Sequence, residues 1–208
     1  MDRAADPRRD ANASRGDVIR RGVLLAAGLG AAGSLAALTR SAPANAAPPS
    51  AAQDREIFNF ALLLEYLQAA FYTRAVEHGS LRGDIRDFAE VVSGHERAHV
   101  AYLRKALGDH ARPRPTFDFG NATKNERAFV KAAILLENTG VAAYNGQAAN
   151  LTKPALAAAA EIVSVEGRHA AWISDIAGEP PAPRAADPGE PSADVVRKLE
   201  SLGFLKAS

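Results

Sequence analysis

Glu96-Arg97-Ala98-His99 and Glu166-Gly167-Arg168-His169 repeat one Glu-x-x-His pattern 70 residues apart, each inside strongly helical sequence. Residues three apart share a face of an α-helix, so each Glu and its His point the same way. Their neighbours on that face are apolar: Phe88, Val92, Leu103 and Ala106 around the first pair, Ala159, Ile162, Ile173 and Ile176 around the second. Upstream of each pair another glutamate interrupts an apolar stripe. Glu65 stands among Phe58, Leu62, Ala69 and Tyr72, and Glu137 among Val130, Ala133, Gly140, Tyr144, Gln147 and Leu151. Any fold for this chain must therefore take four carboxylates and two imidazoles into its interior.

That demand points to metal. A buried, unpaired carboxylate costs several kcal/mol, and four together also repel one another. Two divalent cations would balance the four negative charges. Carboxylate oxygens and imidazole nitrogens suit iron or manganese, and zinc also fits. One Glu from each of two helices plus Glu-x-x-His from each of two others is the ligand set of dinuclear carboxylate bundles. The candidate ligands are Glu65, Glu96, His99, Glu137, Glu166 and His169. Tyr72 and Tyr144, each seven residues beyond a glutamate on the same face, either hydrogen-bond ligands across the bundle or serve as core aromatics. His95 could compete with Glu96 for pairing with His99. The second half has Val165 at the matching position, which favours a supporting or surface place for His95. Trp172 and Tyr102 read as packing residues.

The periodicity predicts an all-α fold. Hydrophobic residues make up 47% of the chain but aromatics only 6%, and no strand-like run stands out. Helices are expected over about 54–78, 83–107, 123–151 and 154–177. Thr123-Lys-Asn-Glu126 reads as a capping box for the third, and Pro154 suits the first turn of the fourth. Residues 108–122 contain Pro113 and Pro115 and form a crossover too long for a simple antiparallel turn. The halves read as an internal repeat, since Leu63-Leu64-Glu65 and Leu135-Leu136-Glu137 lie 72 residues apart. Residues 178–208 form a Pro-rich tail, in which Ser192 is expected to cap a short helix carrying Val195, Val196, Leu199 and Leu202.

Residues 1–46 differ in character, with seven basic residues against four acidic; the remainder has 18 against 20. Arg20-Arg21 precedes an apolar stretch of about 17 residues ending at Leu38, and Ala44-Asn45-Ala46 offers a small-residue cleavage site. This layout resembles a twin-arginine export signal and predicts a periplasmic or extracellular protein. The alternative is an uncleaved membrane anchor, for which the stretch is short and rich in glycine and alanine. Residues 47–53 would then be a linker to the helical domain at 54–177. A net charge of +1 offers no sign of nucleic-acid binding.

The pattern of Leu-Leu-Glu65-Tyr, His95-Glu96-Arg-Ala-His99, Leu-Leu-Glu137 and Val-Glu166-Gly-Arg-His169-Ala-Ala-Trp172 resembles the ferritin-like di-iron carboxylate superfamily. More narrowly it is similar to exported ferritin-like proteins of the desiccation-related type. The resemblance implies a four-helix bundle with one long crossover between helices 2 and 3. It also implies that Glu96 and Glu166 bridge two metals, with Glu65 and Glu137 terminal and one histidine on each metal.

Three roles follow from such a centre: redox chemistry with dioxygen or hydrogen peroxide (ferroxidase, peroxidase or catalase-like), metal holding without turnover, or stress protection by a metal-stabilised bundle. Cysteine is absent, so there is no rubredoxin-type centre, and a peroxidase would need an external electron donor. The one methionine is Met1, leaving no ligand for an inter-subunit haem of the bacterioferritin kind. The Pro-rich tail stands where cage ferritins carry a fifth helix, which argues against a 24-subunit shell, though not against a smaller homo-oligomer. The extra loops and C-terminal extension of manganese catalase are not evident.

Overall fold

The computed structural model describes residues 48–205; the expected export signal lies outside them. Four long helices, α1 (Ala51–His78), α2 (Gly83–Leu107), α3 (Glu126–Gln147) and α4 (Lys153–Ile176), form the bundle, and a short α5 (Ser192–Ser201) follows. Single 3₁₀ turns extend α2 over Gly108–His110 and α3 over Ala148–Asn150. No helix among the described residues is long and apolar enough to cross a membrane.

Contacts between helix ends fix the directions. The Arg82 backbone N–H, just before α2, donates to Glu126 at the start of α3 (2.8 Å). Thr152, just before α4, donates its N–H and its hydroxyl to Asp54 near the start of α1 (2.9 and 2.6 Å). The helices α2 and α3 thus begin at one end of the bundle, and α1 and α4 at the other. Packing of α1 on α2 and α3 on α4 is closed into a ring by α2–α4 and α1–α3 contacts. Since α2 has 25 residues, about 37 Å long, the crossover must climb the whole bundle. Residues 111–125 can do so, because extended chain spans up to ~3.3–3.6 Å per residue.

Aromatic packing holds the crossover down. Phe71 on α1 is fully buried, stacked on Phe129 of α3 at 5.2 Å and in edge contact with Phe119 of the crossover at 5.4 Å. Phe204 of the tail meets the same group, and the Asp118 N–H donates to the Phe204 carbonyl (3.3 Å). Where the tail crosses α3, the Glu190 N–H donates to the Ala142 carbonyl (2.8 Å). A Cβ on Gly146 would lie 2.0 Å from the Glu190 carbonyl oxygen, so only glycine permits this crossing.

Several local expectations are corrected. The cap of α3 is Asn125, whose side chain accepts from the Ala128 N–H (2.9 Å), not Thr123; Glu126 is instead turned to Arg82. Pro191 precedes α5, and Ser192 is its first residue without a capping bond. Helix α1 begins at Ala51, where Ser50 caps it, three residues before the expected Asp54. At the outer ends of the stripes the 3.6-residue period drifts: Leu107 and Phe129 are buried where Ala106 and Val130 were expected. Trp172 and Tyr102 are 38% and 39% exposed rather than packed away, although Trp172 keeps edge contact with Phe88 at 5.1 Å.

Candidate metal centre

Each of the four helices delivers its ionisable residues to one place at mid-bundle. Glu65, Glu96, His99, Glu137, Glu166 and His169 are all buried, the four glutamates at most 1% exposed. Their ligand atoms fall into two overlapping quartets, each within 4.8 Å: Glu65, Glu96, His99 and Glu166, and Glu96, Glu137, Glu166 and His169. Glu96 and Glu166 belong to both. One further glutamate and one histidine belong to each. The His99 Nδ1 lies 3.2 Å from Glu65, 3.5 Å from Glu96 and 3.3 Å from Glu166. The His169 Nδ1 lies 3.3 Å from Glu96 and 3.2 Å from Glu137.

The outer atoms of these side chains are tied back. The Tyr144 hydroxyl donates to Glu65 Oε1 (2.6 Å) and the Tyr72 hydroxyl to Glu137 Oε1 (2.5 Å), each reaching from the α3 or α1 partner. The fold uses these tyrosines in both roles: they hydrogen-bond across the bundle and belong to the core, Tyr72 in edge contact with Phe88 and Phe129. His95 lies outside, with its Nδ1 2.9 Å from the His169 Nε2 and the rings stacked. It does not replace Glu96 beside His99.

Sequence reasoning passed over Gln68. It is 3% exposed, and its amide donates to Glu137 Oε1 (3.0 Å) and reaches Glu166 Oε2 (3.4 Å). The available signal was a polar side chain three residues after Glu65, hence on the same face of an otherwise apolar helix. Gly140, opposite, makes room, since a Cβ there would stand 2.8 Å from Glu166 Oε2.

The inward atoms are left without partners. Six buried side-chain polar atoms lack a hydrogen bond among the described residues, and five belong here: both Glu96 oxygens, Glu137 Oε2, Glu166 Oε1 and His169 Nδ1. Each orphan costs about 1–3 kcal/mol, so their convergence on one point is the mark of a cation site. The donor set of oxygens and imidazole nitrogens fits two hard or borderline divalent ions.

Protonation tells the same story. Burial pushes Glu96 and Glu166 well above the usual carboxylate range, and the charges of Glu65 and Glu96 respectively add to it. Burial also opposes charge on His99, but the carboxylates of Glu166, Glu65 and Glu96 beside its Nδ1 outweigh it and raise its pKa to about 12. Burial alone would raise Glu65 too; its bonds with His99 and Tyr144 and the adjacent Glu96 carboxyl bring it below the ordinary value. Burial, then the charges of Glu137 and Glu65, keep the Tyr72 and Tyr144 phenols protonated as donors. The raised pKa values of Glu96, Glu166 and His99 show that the cluster resists carrying its full negative charge, which cations held among these ligands would offset.

A surface depression of about 400 Å³, lined by His95, Val165, Arg168 and Trp172, reaches the edges of His99 and His169. It borders the outer edge of the centre on the α2–α4 side.

The family model for a ferritin-like domain matches residues 53–179, and the chain belongs to that family. No curated protein matches the chain.

Proposed function

We propose that this ferritin-like protein binds two iron or manganese ions and uses them in redox chemistry with dioxygen or hydrogen peroxide, after export from the cytoplasm. The convergence of five unpartnered buried ligand atoms in two overlapping quartets carries the metal reading. Glu96 and Glu166, common to both quartets, would bridge; Glu65 with His99 and Glu137 with His169 would complete the two positions.

Iron or manganese, when bound, supplies the change of oxidation state that reduction of oxygen or peroxide needs. The chain supplies position and exclusion. Tyr72 and Tyr144 hold the outer oxygens of Glu137 and Glu65, leaving the inner ones directed at the centre. Apolar residues such as Leu62, Phe88, Leu136 and Ile173, all at most 2% exposed, keep bulk water away. The depression beside His99 and His169 would be the nearest approach for a reactant. With no cysteine in the chain, sustained peroxide reduction would draw electrons from an outside donor.

The test is metal analysis of the protein isolated from its native host, followed by addition of oxygen or hydrogen peroxide to the reduced form. About two iron or manganese ions per chain with repeated turnover support the proposal. Two ions that never cycle, or zinc alone, would leave a protein that holds metal or protects under stress, because zinc has no redox change. A metal content near zero, unaffected by Glu96→Ala, would overturn the metal reading. Recovery of a chain beginning near Ala47 outside the cytoplasm would support export, and retention of the full chain inside would refute it.

A further inference from the structure

We infer that the two metal positions are unequal: Gln68 and His95 brace the ligands of the Glu137–His169 position, which fills first and releases its ion last. This rests on the dinuclear reading above.

The internal repeat makes the inequality visible. Glu65 matches Glu137, and Glu96-x-x-His99 matches Glu166-x-x-His169. The tyrosine bonds obey the same symmetry, Tyr144 to Glu65 and Tyr72 to Glu137. Two supporting residues break it. Gln68, three after Glu65, corresponds to Gly140, three after Glu137; His95, one before Glu96, corresponds to Val165, one before Glu166. Both polar members lie in the first half of the chain, and both act across the bundle on ligands in the second half.

Glu137 Oε1 therefore accepts from Tyr72 and from Gln68, whereas Glu65 Oε1 accepts from Tyr144 and can draw nothing from Gly140. The bare α-carbon of Gly140 leaves room for Glu166, since a Cβ would sit 2.8 Å from Glu166 Oε2, whereas at 3.6 Å from both Gln68 amide atoms it would be in ordinary contact with them. The His169 Nε2 has the His95 ring 2.9 Å away. The His99 Nε2 has no hydrogen-bond partner among the described residues, and Val165 has no polar atom to offer it. With a metal held at His169 Nδ1, the ring proton would sit on Nε2 and donate to His95 Nδ1. That bond fixes the tautomer and ring plane and makes Nδ1 a stronger donor to metal. Bracing of this kind changes metal affinity by roughly 10–100-fold per residue.

Charge alone would produce two binding steps even at equal positions, because the first ion repels the second. The decisive readout is consequently which position fills. Crystals of the full chain are given one equivalent of Co²⁺, and anomalous scattering reports occupancy at each position. Cobalt concentrated beside Glu137 and His169, by about tenfold or more, is expected. The exchange His95→Val with Val165→His transfers the imidazole brace from His169 to His99 and should move cobalt toward the Glu65 position. Gln68→Leu should reduce the preference without reversing it. A purely structural role for these residues would not move metal between positions. Equal occupancy in the wild type, or a preference unchanged in both variants, would overturn the inference while leaving the dinuclear site intact. No cobalt at either position would overturn the dinuclear reading and this inference with it.

Discussion

Replacing Glu96 by glutamine should pull fold stability and metal binding in opposite directions. Glu96 is fully buried, and neither of its oxygens has a hydrogen-bond partner among the described residues. Burial, reinforced by the charge of Glu65, already holds it well above the ordinary carboxylate range. The amide keeps the shape, cannot ionise, and offers two N–H donors to the unpartnered oxygens of Glu137 and Glu166 in the same cluster. Relieving one or two orphaned acceptors is worth about 1–3 kcal/mol. At ~2–4 °C per kcal/mol for a chain of this size, the metal-free variant should melt about 2–12 °C above the wild type. Metal reverses the order. An ion at 100 times its dissociation constant stabilises by ~2.7 kcal/mol, or about 5–11 °C. The wild type should show that rise with Mn²⁺, and Glu96→Gln, lacking a carboxylate common to both quartets, should barely move. Calorimetric melting of metal-stripped proteins with and without Mn²⁺ measures all four values. A metal-free variant less stable than the wild type, or an equal Mn²⁺ response in both, would refute this account of why the glutamates are buried.

Stability of the metal-stripped protein should fall as pH rises above about 4.5, because Glu96, Glu166 and His99 bind protons more tightly folded than unfolded. The contribution of Glu65 has the opposite sign and is lost as pH falls through its lowered pKa. Metal loading should abolish the decline above 4.5 and release protons; melting curves across pH 5–9 and unbuffered titration check both. Gly140→Ala should leave the metal-free melting temperature within a few degrees of the wild type, since alanine adds ~1 kcal/mol of helix propensity against the displacement of Glu166. Its metal affinity, read by isothermal titration, should fall about 10–100-fold as that carboxylate is pushed aside. Phe71→Ala removes a fully buried ring shared by α1, α3, the crossover and the tail, and should cost about 3–5 kcal/mol in denaturant unfolding.

Local chemistry made the ligand-bearing faces legible without coordinates. A helix repeats every 3.6 residues whatever surrounds it, so Glu96 and His99 had to share a face, and the apolar company of Glu65, Glu137 and Glu166 made burial costly unless something balanced it. Capping was less legible, because Thr123 and Asn125 are both competent caps; Asn125 takes the role, and Glu126 accepts from Arg82 instead of closing a capping box. What the sequence determined by itself was the set of helices, their interior faces and the six residues that would be out of place there. Which side chain supports which ligand was decided only in three dimensions. The Gln68 amide reaches Glu137 and Glu166, and His95 reaches His169, across helix interfaces between residues 69 to 98 positions apart. No periodicity encodes such distances. They follow from the packing of α1 and α2 against α3 and α4, and there the repeat loses its symmetry: a glutamine faces a glycine, and a histidine has a valine for its counterpart.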